Sequence, residues 1–141
     1  MQPMEHDMAA LLAAFRAAGA DQELYLDRET GEIVGWSAET EELGGVRELR
    51  GQVLGDPLRF ARIEPPPPEE QKQWAEQFTL SLPPGPDRGV LGAALMGRTP
   101  LRTFRAALED SPGHRARWLA EERRRLEAAI LGWLAGLPGG G

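Results

Sequence analysis

Glu23-Leu24-Tyr25-Leu26-Asp27-Arg28-Glu29-Thr30-Gly31-Glu32-Ile33-Val34-Gly35-Trp36 reads as two strands around a tight turn. Leu24 and Leu26 alternate with Tyr25 and Asp27, the period of a strand with two different faces. Ile33 and Val34 carry the return strand to Trp36. The Asp27 carboxylate can accept hydrogen bonds from backbone amides across the turn. Gly31 suits the left-handed position that closes a type I turn with a one-residue bulge. Asp27 and Gly31 are therefore the expected structural residues of the turn.

Working outward, residues 8–18 have the helical spacing of Leu11, Leu12 and Phe15, with Asp7 as a cap and Gly19 as a stop. Downstream, Ser37 and its acidic neighbours open like a helix, but Gly44-Gly45 interrupts them. One or two short, mobile helical turns are expected over residues 37–50. Residues 58–64 alternate like a third strand, which Pro65-Pro66-Pro67-Pro68 ends as an extended spacer. Pro68 also suits the first turn of a following helix.

Four further helices are expected. Residues 69–82 stack Trp74, Phe78 and Leu82 on one face. Residues 87–96 are capped by Asp87 and closed by Gly97. Residues 100–108 follow a Thr99 cap and Pro100. Residues 114–137 turn Trp118, Leu119, Leu126, Ile130, Trp133 and Leu134 inward, and Glu121, Glu122, Arg123, Arg124, Arg125 and Glu127 outward. Residues 138–141 are expected to fray. The fold class predicted is α+β: a small antiparallel sheet, hairpin plus third strand, packed with four or five helices in one domain over residues 1–141.

Composition narrows the function classes. Apolar residues make up 41% and charged residues 27% of the chain, which excludes global disorder. There is no cysteine, so no disulfide framework and no thiolate chemistry. Glu5 and Asp7 stand where a signal peptide is positive, and no apolar run approaches the roughly 20 residues of a membrane span. A cytoplasmic protein with no membrane association is expected. Net charge is −6, but residues 1–70 hold 6 Arg against 15 Asp or Glu, whereas residues 71–141 hold 10 Lys or Arg against 7. Such an acidic half repels nucleic acid, and the basic excess of the other half is small for a phosphate-binding domain.

No nucleophile elbow, phosphate loop or dinucleotide fingerprint occurs. His6 and His114 are too far apart in sequence for an organised metal site. No catalytic, cofactor or metal residue is assigned, and no cofactor is expected. Asp27, Glu29 and Glu32 at the hairpin tip offer an acid–base pair or Ca²⁺ ligands, against the plainer reading of turn chemistry at a solvated edge. Arg98, Arg102 and Arg105 are the candidate anion- or partner-binding set. They flank a helix start, and Arg102 and Arg105 share a helical face. Pairing with Glu109, Glu121 or Glu122 is the structural alternative. Arg115, Arg117 and Arg123 to Arg125 form a second basic group, read as a solvated face of i, i+4 pairs or as a nucleic-acid contact.

The order of motifs carries a resemblance. Leu26-Asp27-Arg28-Glu29-Thr30-Gly31-Glu32 is followed by Ile63-Glu64-Pro65-Pro66, then Trp74 and Phe78. Leu91-Gly92-Ala93-Ala94-Leu95-Met96-Gly97-Arg98 and Leu101-Arg102-Thr103-Phe104-Arg105 come next, with Trp118 and Trp133-Leu134 at the end. Over residues 22–137 this series resembles bacterial uncharacterised protein family 0158. The family's Gly-Ala-Phe-Arg-Arg-Phe-Lys-Asp stretch is here Thr99 to Ala106, with Thr103 for the second Arg and Ala106 for the Asp. The aromatic that follows Trp118 in the family is missing. The resemblance implies an architecture and no activity. The expected function is a non-enzymatic interaction or regulatory domain that binds a protein partner or an anionic group. Nucleic-acid association through the C-terminal arginine helices and an enzyme using a hairpin carboxylate are the alternatives. Oligomeric state is left open.

Overall fold

The computed structural model describes residues 7–19 and 21–138. Asp7 accepts a hydrogen bond from the Ala10 amide at 3.2 Å and starts α1 (Met8–Ala17). The carboxylate satisfies one of the amides that a first helical turn leaves free. Contacts group the described residues into two compact units: those up to Pro65 with those from Leu126 on, and Pro66–Arg125.

In the first unit, β1 (Gln22–Asp27) and β2 (Ile33–Ser37) form the hairpin. β3 (Phe60–Arg62) pairs with the other edge of β1, giving an antiparallel sheet of order β2-β1-β3. Tyr25 lies opposite Val34 and Arg62, and Leu26 opposite Ile33 and Ala61. With a side-chain period of two, Tyr25, Asp27, Val34, Trp36 and Phe60 share one face, and Leu24, Leu26 and Ala61 the other. The α+β class with a hairpin and a third strand is the one the sequence predicts.

The helices number six among the described residues, one more than the upper expectation. The additional one, α2 (Gly44–Leu54), corrects the expectation of short turns over residues 37–50. Gly44 and Gly45 occupy its first turn, so they do not interrupt it. Val46, Leu49 and Val53 then recur at helical spacing and pack against Tyr25, Trp36 and Phe60. Burial of that stripe outweighs the poor helix propensity of the glycines. Tyr25 and Trp36 stack beneath it with ring centroids 5.2 Å apart.

The third strand is shorter than residues 58–64. The Asp56 carbonyl accepts from the Arg59 and Phe60 amides, and this turn leaves Leu58 exposed before pairing begins. On the opposite sheet face Leu24, Leu26, Ala61 and Ile63 are buried, as are Leu11, Leu12 and Phe15 of α1. Phe15 meets Trp133 edge-on at 5.6 Å. Pro138 is held through its carbonyl by Arg28 Nη1 at 2.6 Å. The rest of the tail expected to fray, residues 139–141, lies outside the described residues.

The second unit comprises α3 (Pro68–Ser81), α4 (Pro86–Ala94), α5 (Pro100–Leu108) and residues 112–125 of α6 (Pro112–Ala135). Each helix begins at a proline, whose fixed φ suits the first turn and whose missing amide costs nothing there. Phe78, Phe104 and Trp118 meet edge to face, with centroids 5.3, 5.4 and 6.5 Å apart. Burying each ring contributes about 2–3 kcal/mol, and the edge-to-face geometry adds to that.

Several expected details change. Gly85, and not Asp87, is the N-cap of α4, because Pro86 takes the first helical position. Gly97 does not close α4 in a left-handed conformation, since Gly31 is the one described residue with φ in the left-handed region. Thr99 occupies the α5 cap, but its hydroxyl lies 3.3 Å from that of Thr103 and makes no backbone cap. α6 starts at Pro112 where residue 114 is expected, and ends at Ala135 where residue 137 is expected. Its buried stripe runs Trp118, Glu122, Leu126, Ile130 at four-residue spacing, while Leu119 is exposed. Glu122 thus leaves the solvated face assigned to it.

Two glycines are tied to the hairpin for different reasons. Gly31 has φ 81°, in the left-handed region. Its amide donates to the Asp27 carbonyl at 2.7 Å, and the Asp27 amide donates to Glu32 at 2.8 Å. A Cβ on Gly35 lies 2.2 Å from the Glu23 carbonyl oxygen, which cannot give without moving the central strand. Gly31→Ala is expected to cost about 1 kcal/mol by chemical denaturation. Gly35→Ala should cost more and lower yield of folded protein.

Trp118 Nε1 is buried with no hydrogen-bond partner among the described residues. Phenylalanine removes that orphaned donor together with ring volume, and the two effects oppose each other. Trp118→Phe should therefore destabilise far less than Trp118→Ala, for which about 3–5 kcal/mol is expected. Equal losses in thermal and denaturant melts would contradict this.

Candidate anion-binding surface

Residues 66–125 hold ten Lys or Arg and eight Asp or Glu, against six and fourteen in the rest of the chain. The arginines of this unit divide by whether a carboxylate stands beside them. Arg105 Nη2 is 3.4 Å from Glu122 Oε2, and the Glu122 side chain is only 6% exposed while Arg105 is 55% exposed. A carboxylate in the core stripe needs such a partner, because burying it alone costs several kcal/mol. Arg124 Nη2 and Arg125 Nε both donate to Glu121 Oε1, at 2.6 and 2.8 Å. The hydrogen bonds from Arg124, then those from Arg125, hold the Glu121 carboxyl below the usual range.

Arg98, Arg102, Arg115 and Arg117 are exposed and have no carboxylate partner among the described residues. Of the candidate set on α5, then, Arg98 and Arg102 present free guanidinium groups, and Arg105 is engaged with α6. The group on α6 is split likewise: Arg124 and Arg125 are spent on Glu121, while Arg115 and Arg117 are not.

An open cleft of about 290 Å³ lies between α3 and α6, lined by Gln77, Phe78, Ser81, Arg117, Glu121 and Arg125. Arg117, Glu121 and Arg125 recur at four-residue spacing on α6, and Gln77 and Ser81 do so on α3. Arg125 Nη2 donates to Gln77 Oε1 at 2.9 Å, and its guanidinium lies 5.7 Å from the Trp74 ring centroid. The Ser81 hydroxyl donates to the Phe78 carbonyl. Sequence reasoning reaches Arg117, Glu121 and Arg125 but misses Gln77 and Ser81. No local pattern joins two neutral residues of one helix to a charged row forty residues away.

The hairpin carboxylates are placed differently. Asp27 is 4% exposed. Its Oδ1 accepts from the Glu29 amide at 3.0 Å, the Thr30 amide at 3.4 Å and Arg59 Nε at 3.1 Å, and its Oδ2 accepts from Arg59 Nη2 at 2.9 Å. The Arg59 guanidinium, opposed by burial and aided by the turn amides, pulls the Asp27 carboxyl down to about 2. Glu29 Oε2 is 3.5 Å from Arg59 Nε, with its side chain 69% exposed, and Glu32 is exposed. His114 Nε2 lies 3.2 Å from Asp87 Oδ2, joining the first turns of α6 and α4. His6 lies outside the described residues. Among those described, no three His, Asp or Glu are grouped to hold a metal ion, and no helix is long and apolar enough to cross a membrane.

Because the folded Asp27 titrates below its unfolded value of 3.8, its contribution to stability is present above about pH 4 and is lost as pH falls toward 2. Asp27→Asn keeps the shape and removes the charge, with an expected cost near neutral pH of roughly 1–3 kcal/mol. The gap between wild type and variant should close between about pH 4 and pH 2 in denaturant melts. A gap independent of pH would remove the ion pair as its cause.

No family model matches the chain, and comparison with curated proteins and with solved structures finds no match.

Proposed function

We propose that the chain is a non-enzymatic interaction module whose second unit binds an acidic segment of a protein partner. The observation that carries this reading is the division of the arginines. Glu121 and Glu122 engage Arg124, Arg125 and Arg105, yet Arg98, Arg102, Arg115 and Arg117 stay exposed with no carboxylate beside them. Exposed guanidinium groups attract an anion at little cost, since they are weakly hydrated and need no pair broken.

A protein partner is favoured over nucleic acid by charge. Glu121 and Glu122 interrupt the basic row of α6, so the helix offers no continuous run of cations along which a phosphate backbone can lie. The enzymatic alternative has little support from Asp27. Its carboxylate already accepts four hydrogen bonds and stays ionised far below neutral pH, unlike a group poised to exchange protons.

The test is fluorescence anisotropy with a labelled peptide of alternating Glu and Gly, beside a labelled DNA duplex, at low ionic strength. Wild type should bind the peptide more tightly than the duplex. Arg98→Glu with Arg102→Glu should weaken peptide binding about tenfold or more at low ionic strength, because reversing two charges turns attraction of the acidic segment into repulsion. Arg105 is left unchanged, because it is bonded to the buried Glu122 carboxylate. Absence of peptide binding, or preference for the duplex, would overturn the reading.

A further inference from the structure

The geometry points to the α3–α6 cleft as a carboxylate subsite, in which Arg117 and the Gln77 amide nitrogen grip an acidic side chain of the partner over the Phe78 ring. This assignment rests on the interaction-module reading and names the place where the partner is held. Its basis is the hydrogen-bonding capacity left over in the cleft. Arg125 donates to Gln77 Oε1, so the amide oxygen is occupied and the amide N–H groups are the free end of that side chain. Arg117 brings five donors and no internal partner. Glu121, the one acid in the lining, is consumed by Arg124 and Arg125. The cleft therefore offers unused donors from two helices, and a carboxylate is acceptor-only.

Arg125 acts here as a positioning residue. Its guanidinium bridges Glu121 and Gln77 and lies 5.7 Å from the Trp74 ring centroid, which fixes which end of the amide is presented. The Phe78 ring supplies an apolar floor for the methylenes of a Glu side chain. A volume of about 290 Å³ admits one side chain and excludes a duplex, whose phosphates would reach Arg117 only at the rim.

Gln77→Glu is the deciding variant. It keeps an oxygen for Arg125 and replaces the free donors with a second oxygen, so it gives Arg117 an internal carboxylate. The assignment expects thermal stability unchanged or raised, and binding of the Glu-Gly peptide weakened about tenfold or more. Arg117→Gln, at an exposed position, should weaken binding similarly with little change in melting temperature. In an NMR titration of wild type, the Gln77 side-chain amide and Arg117 Nε–H resonances should shift and saturate with the peptide. If Gln77→Glu binds as tightly as wild type while the Arg98, Arg102 double variant is weakened, the cleft is not the subsite and the interaction reading stands. If wild type binds no peptide, both fall. Binding of free glutarate, but not peptide, that Gln77→Glu abolishes would assign the cleft to a small metabolite carboxylate and overturn the partner. Duplex binding sensitive to both variants would overturn it in favour of phosphate.

Discussion

In the first unit one carboxylate ties the turn of the hairpin to the start of the third strand. β1 and β3 pair over three residues, with backbone bonds from Arg28 to Arg59 and from Ile63 to Leu24 beyond them. Asp27 stands at the end of the central strand. It holds the turn between β1 and β2 through the Glu29 and Thr30 amides, and it holds the approach to β3 through both nitrogens of the Arg59 fork. A bidentate guanidinium specifies distance and angle together. The pair thus sets where β3 begins, and with it the placing of Phe60 beneath α2. Arg59 also lies 4.9 Å from the Phe60 ring centroid, so charge pairing and aromatic burial meet at consecutive residues.

The second unit is organised by two repeated devices. Prolines start all four of its helices, and Trp118 and Glu122 are buried one turn apart on its part of α6. The presence of Glu122 there has a consequence for the surface: it draws Arg105 from α5 onto α6. Glu121, one residue earlier, gathers Arg124 and Arg125 and so lines the cleft. Two adjacent carboxylates, one buried and one lining the α3 groove, thereby engage three arginines of the unit.

Much of this was legible from residues that punish misplacement. Asp27 and Gly31 mark a turn because few other residues supply an amide acceptor or a left-handed φ, and the proline starts are legible for the same kind of reason. α2 was obscured because Gly44-Gly45 is a stop signal inside a helix but harmless in a first turn. The stripe of Val46, Leu49 and Val53 that settles the matter gains its energy only from the sheet face beneath it. Glu122 reads outward because it is charged, although the spacing of Trp118, Leu126 and Ile130 places position 122 among core residues. Spacing outranked polarity there because Arg105, distant in sequence, made the charge tolerable. The cleft is not legible in the sequence, since it depends on an arginine from another helix binding the Gln77 amide oxygen and leaving the amide nitrogen free.

The free arginines and the cleft have different work under this reading, and magnitude separates them. An exposed ion pair contributes only about 0–1 kcal/mol and is weakened by salt. Arg98, Arg102 and Arg115 can therefore speed the approach of an acidic segment but cannot hold it. Holding requires partial removal of water and more than one donor per carboxylate, which raises the worth of each charge-assisted bond to roughly 1.5–3 kcal/mol. Among the arginines without a carboxylate partner, Arg117 alone lines the cleft, with an amide aimed by a second guanidinium beside it. Changes at the open arginines should then act on the association rate and its salt dependence, and changes at Gln77 or Arg117 on the dissociation rate.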